Sequence, residues 1–109
     1  MIMLTKKIKE QLIKNHVNDD EYHKPVVKLF GGSSCTWLLT SLDHESMNAF
    51  GLCDLGHGTP ELGYINLYEL FAVKFAPFGL GVERDRHFKA DRDIMAYWKE
   101  ARNLGYIKA

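Results

Sequence analysis

The stretch Phe50–Asn66, F-G-L-C-D-L-G-H-G-T-P-E-L-G-Y-I-N, decides the fold. Apolar residues flank a centre that carries Gly56, Gly58 and Pro60. Glycine and proline clustered between two short apolar runs punctuate a long hairpin loop. The stretch therefore predicts one strand over Ala49–Leu55 and a second over Glu61–Ile65. Side chains alternate along a strand, so Phe50, Leu52 and Asp54 share a face. Closing the loop sets Asp54 and Glu61 roughly opposite each other near its mouth.

Working upstream, Pro25 opens a strand over Val26–Phe30, a position where its missing N–H is tolerated. Gly31–Ser34 forms a hairpin turn, and Cys35–Leu42 a second strand. Cys35, Trp37 and Leu39 fall on a buried face; Thr36, Leu38 and Thr40 fall on one expected to be only partly buried. Asp43–Ser46 turns the chain into the strand already described. Four strands in sequence with short turns predict an antiparallel meander. Before it, Leu4, Ile8 and Leu12 make one apolar stripe on a helix over 4–16, with Thr5 as a cap and lysines on its outer side. Asn18–Glu21 is a polar connection.

Downstream, Asn66-Leu67-Tyr68-Glu69 is a capping-box start, predicting a helix to about Phe75. Gly81–Phe88 reads as a fifth strand whose charges, Glu83 to Arg86, suit an exposed edge. Asp91 is placed to cap a last helix over Arg92–Asn103, striped by Ile94, Tyr97, Trp98 and Ala101, with Gly105 as its stop. The order is α-β-β-β-β-α-β-α. It predicts an α+β fold: a mostly antiparallel sheet of about five strands with helices on one face. Residues 1–109 form a single domain, comprising a helix and connection (1–24), the meander (25–66), and a helix, edge strand and final helix (67–109).

Bulk properties narrow the function classes. The 109 residues are 46% hydrophobic and 26% charged, with a formal net charge of zero, which excludes a strongly basic nucleic-acid binder and a strongly acidic DNA mimic. No apolar run approaches the ~20 residues of a membrane span. Cys35 and Cys53 sit among apolar residues with no signal peptide, as in a reduced, cytoplasmic protein. The charges are segregated: Leu29–Val73 carries five carboxylates and no Lys or Arg. Glu83–Ala109 carries seven basic residues against five acidic ones.

P-V-V-K-L-F at 25–30, T-W-L-L-T at 36–40, F-G-L-C-D-L-G at 50–56, P-E-L-G at 60–63 and E-R-D-x-H-F at 83–88 together resemble an uncharacterised bacterial domain-of-unknown-function family. The resemblance covers roughly residues 3–103. Members of that family are carried on plasmids, phages and integrative conjugative elements. The resemblance implies a setting near DNA transfer or evasion of host defence, and carries over no catalytic residue.

Three constellations merit weighing. Asp54, His57 and Glu61 form an acidic loop. Paired carboxylates with a histidine can hold a divalent cation or perform acid–base work. Against this, the spacing matches no established metal motif, and carboxylates beside glycine turns commonly accept backbone N–H groups. Cys35 or Cys53 with His44, His57 or His87 is a nucleophile–base set, but both thiols lie in apolar, acidic surroundings that oppose the thiolate. Arg84, Arg86, Lys89 and Arg92, near His87, Phe88, Tyr97 and Trp98, interleave bases with aromatics as nucleic-acid contacts do; Asp85, Asp91, Asp93 and Glu100 dilute that field.

The sequence thus favours a non-enzymatic accessory or binding protein acting through a protein or nucleic-acid partner, with no cofactor. The rival is a small metal-assisted hydrolase or nuclease built on Asp54, Glu61 and His57. A third reading has the acidic middle occupy a basic groove on a host enzyme.

Overall fold

The computed structural model describes residues 4–19 and 21–109; Asp20 of the expected connection lies outside them. The elements run α1 (Lys6–Val17), β1 (Val27–Gly31), β2 (Cys35–Asp43), β3 (Asn48–Asp54), β4 (Glu61–Asn66), α2 (Leu67–Ala72), β5 (Glu83–Arg84) and α3 (Ile94–Leu104). This is an α+β fold in the expected order. The sheet is antiparallel throughout and ordered β4-β3-β2-β1-β5. The Phe50–Asn66 hairpin is the β3–β4 pair, with Cys53 opposite Glu61 and Phe50 opposite Tyr64.

The helices do not share one face. Leu12 of α1 and Leu67 and Leu70 of α2 pack with Val27, Leu29, Trp37, Leu39, Leu42 and Ala49. Ile94, Tyr97 and Ala101 of α3 instead pack with Leu38 and Leu52 on the opposite face. Leu38 and Thr40, expected to be half-covered, are accordingly buried. The cause is the amphipathic stripe of α3, which needs an apolar floor, and Leu38, Leu52 and Leu62 supply one on the face that α1 and α2 leave free.

Local rules set most boundaries. The Thr5 hydroxyl accepts the Ile8 N–H, and the Asn66 amide oxygen accepts the Glu69 N–H, each at 3.2 Å. Gly105 closes α3 at φ 82°, donating to the Ala101 carbonyl. Three boundaries differ from expectation. Asp93, rather than Asp91, caps α3 and accepts the Ala96 N–H at 2.9 Å. β5 is only two residues long, because Asp85 starts a turn by accepting the His87 N–H. α2 stops at Ala72, because Phe75 leaves the helix to pair with Leu80.

A bulge at Thr40 shifts the β2–β3 register between Leu39 and Ser41. Its carbonyl accepts from the side-chain amide of buried Asn15 in α1, and its hydroxyl donates to the Phe50 carbonyl. Gly51, opposite Leu39, has no room for a Cβ, which would meet the Leu38 carbonyl. The bulge therefore docks α1 and bends the sheet at the point where the strands leave α3.

Candidate functional site

The acidic loop does not converge. Asp54 is 3% exposed, and both its oxygens accept backbone N–H groups: Gly56 at 2.8 Å and Ile107 at 3.1 Å. Glu61 is exposed and pairs with Cys53, so it lies on the sheet face opposite to Asp54. His57 stands exposed in the loop between Gly56 and Gly58, both in the left-handed region. Glu61 instead lines a shallow groove with Pro60, Leu62, Trp98 and Arg102, where the Arg102 guanidinium lies 4.8 Å above the Trp98 ring. Among the described residues, no group of three or more His, Cys, Asp or Glu is arranged to hold a metal ion.

The thiols are also poorly placed for chemistry. Both cysteines are free and pack against the α1-side core. Burial, and then the nearby Glu61 charge, push the Cys53 thiol up to about 11. Burial, with Asp54 adding to it, also raises that of Cys35. A thiol held neutral is neither a nucleophile nor a metal ligand at neutral pH.

Arg92 is the member of the basic strip that is paired within the molecule. Arg92 grips Glu100 with two bonds of 3.1 and 3.3 Å, reaches Asp91 at 3.2 Å, and lies 4.4 Å over the Tyr97 ring. The Glu100 bonds come first among the causes that strengthen its hold on the proton. Arg84 is half-buried in β5, while Arg86 and Lys89 are exposed. Lys28 binds Asp85 and the Ala109 carbonyl. The Asp91 carboxyl is held below the usual range, first by the Tyr97 hydroxyl it accepts from at 2.9 Å.

A different site emerges at the bulged end of the sheet. A hollow of about 420 Å³ opens between the α1–β1 connection and the α3-side face. Phe50 and Tyr64 form its floor, with ring centroids 5.1 Å apart and planes at 61°. Tyr22 and His23 line it from the connection and His16 from the end of α1, with Asp19 and Glu21 as the carboxylates. No lysine or arginine is among its described lining residues. The connection is tied in place, since the His23 carbonyl accepts the Ile94 N–H at 3.0 Å and the His23 ring bonds the Asn18 carbonyl. Tyr22 and Tyr64 remain 62% and 77% exposed, and large aromatics left in the open beside carboxylates are what a cationic group binds.

Sequence reasoning read 18–21 as a polar linker and passed over this hollow. Its aromatics lie far apart in the chain, at 22, 50 and 64. The available signal was local: N-D-D-E-Y-H at 18–23 packs carboxylates, a tyrosine and a histidine into one short connection.

The fold is a small α+β domain that carries an aromatic hollow and, among the described residues, no group of three or more His, Cys, Asp or Glu that could hold a metal ion. The chain belongs to the family described as "Protein of unknown function (DUF2958)", whose model matches residues 3–108. No curated protein and no solved structure matches the chain. Among the described residues, no helix is long and apolar enough to cross a membrane.

Proposed function

We propose that this chain is a non-enzymatic binding protein that acts through a protein partner, presenting the aromatic hollow to a lysine or arginine side chain of that partner. The observation that carries this reading is the lining of the hollow. Phe50, Tyr64 and Tyr22 offer ring faces, and Asp19 and Glu21 offer charge of the sign a cation needs. A cation over an aromatic face gains roughly 0.5–2 kcal/mol, more as water is excluded. The role as an accessory of a mobile genetic element, in the cytoplasm, belongs to the same proposal and rests on the resemblance of its motifs to families carried on such elements.

A protein is favoured over nucleic acid because Arg92 is committed to Glu100 and Asp91, leaving a thin basic strip. A metal-assisted hydrolase finds little support, because Asp54 and Glu61 face opposite sides of the sheet. The test is calorimetric titration with a short lysine- and arginine-containing peptide, with an acidic peptide of equal length as control. The basic peptide is expected to bind at micromolar to millimolar Kd, and Tyr22→Ala with Tyr64→Ala to weaken it at least tenfold. Equal binding of both peptides, or indifference to those substitutions, sinks the proposal. Retention on DNA that falls with salt and with Arg86→Ala and Lys89→Ala would move the site to the basic strip instead.

A further inference from the structure

We infer that β4 is an oligomerisation edge: two copies pair antiparallel through it, with Tyr64 of each copy facing Tyr64 of the other across a twofold axis. The sheet has two edges, and they are built differently. β5 is two residues long, carries Glu83 and Arg84, and is followed at once by a turn. Short, charged edges are how sheets avoid pairing. β4 has six residues, E-L-G-Y-I-N, with one charge at its start, no lysine, no proline and no bulge in its pairing to β3.

The hydrogen-bond phase of β4 fixes which of its backbone groups face outward. Antiparallel pairs alternate between those that exchange bonds and those that do not. The Leu67 N–H donates to the Met47 carbonyl at 2.9 Å, in step with the Asn48–Asn66 pair. Ile65, Gly63 and Glu61 therefore bond inward to β3. Phe50 agrees, since its carbonyl turns away from Tyr64 to receive the Thr40 hydroxyl. Leu62, Tyr64 and the Asn66 N–H then point their backbone groups outward.

With the twofold axis at Tyr64, a second copy satisfies the Tyr64 groups, the Leu62 carbonyl and the Asn66 N–H. The two Tyr64 residues exchange N–H···O bonds, and each Asn66 N–H meets the other copy's Leu62 carbonyl. The side chains agree with it. Tyr64 lies across from Tyr64, extending the Phe50–Tyr64 aromatic row; cross-strand aromatic pairs are favourable. Gly63 lies across from Ile65 of the other copy, and a Cβ at Gly63 would meet nothing within 4 Å. Glu61 faces no acid. This self-complementarity selects a second copy of the chain over an unrelated strand. The pairing also brings the second copy's Tyr64 beside the hollow, so that each hollow gains an aromatic wall. The pairing stands whether or not the hollow binds a cation.

Sedimentation equilibrium from about 5 to 500 µM, with hydrogen exchange at both ends of that range, tests it. A monomer–dimer equilibrium is expected, with the Tyr64 and Asn66 amides at least tenfold better protected at high concentration. Tyr64→Lys, which sets like charges face to face, and Tyr64→Pro, which removes the outward N–H together with the ring, both leave a monomer. Circular dichroism and thermal melting check that both variants fold. Tyr22→Ala, which lies outside β4, leaves the dimer intact even if it abolishes cation binding. A monomer at every concentration with unprotected Tyr64 and Asn66 amides overturns the inference, and leaves the edge to a strand from another protein. So does a dimer that survives both Tyr64 substitutions.

Discussion

Asp54 ties two distant backbone segments together with a single carboxylate. One oxygen holds the Gly56 N–H of the β3–β4 loop and the other holds the Ile107 N–H beyond α3. Hydrogen bonds to a charged acceptor contribute about 1.5–3 kcal/mol each, and their loss leaves the buried Ile107 N–H unmet. Asp54→Ala is therefore expected to cost about 3 kcal/mol in urea unfolding, while Glu61→Ala, on an exposed side chain, changes stability by less than about 0.5 kcal/mol. Half of this arrangement is legible in the sequence, because an aspartate before Gly-x-Gly bonds its own loop. The other half is not, since Ile107 is 53 residues away and nothing in the chain announces the pairing. Cys53 gives a second prediction. Its neutral thiol is favoured in the fold, so the associated stability is complete below the unfolded-state pKa near 8.5 and is lost as pH rises through about 11. Iodoacetamide should accordingly label Cys53 slowly at pH 7.5 and much faster once the protein is unfolded in urea, as read by mass spectrometry.

The docking of α1 depends on Asn15, which receives a bond from Gln11 and gives one to the Thr40 carbonyl at the β2 bulge. Asn15→Leu would leave that carbonyl unmet in a buried site, at a cost of about 2 kcal/mol. Urea denaturation of the variant checks it. The N-terminus of α3 carries a pH dependence. Tyr97, and then the Arg92 charge, favour ionised Asp91 in the fold. The folded carboxyl thus has a lower pKa than the unfolded one, near 3.9. Its contribution is present above that value and is lost as pH falls through the folded one. Asp91→Asn should flatten the decline in melting temperature between about pH 4 and pH 2. The elements themselves were readable from period and caps: Thr5, Asn66 and Gly105 do in the fold what their residue types predict. Two features were not. The early end of α2 reflects Phe75 settling on Gly31, where a Cβ would collide with its ring. The cap of α3 moved from Asp91 to Asp93 because Asp91 is engaged by the Tyr97 hydroxyl.

The surface proposed for recognition is not one that the charge pattern of the sequence marks out. The charge map of the sequence drew attention to an acidic middle and a basic end. Folding buries Asp54 and pairs Arg92 with Glu100 and Asp91, blunting both. What remains is the hollow, assembled from the α1–β1 connection and the Phe50–Tyr64 pair, beside the open β4 edge. Long-range assembly of this kind is invisible to local patterns, and α3 crossing to the second face is what makes it possible. Because the proposed recognition is partly electrostatic, affinity for a basic peptide should fall several-fold between 50 and 500 mM salt.

A ¹⁵N correlation spectrum recorded during titration with a lysine- and arginine-containing peptide locates the binding surface directly. Shifts are expected at 16–23, Ser41, Phe50 and Tyr64, saturating with one peptide per chain. Shifts confined to the 53–61 loop or to 84–92, or a spectrum that does not change at millimolar peptide, would contradict recognition at the aromatic hollow.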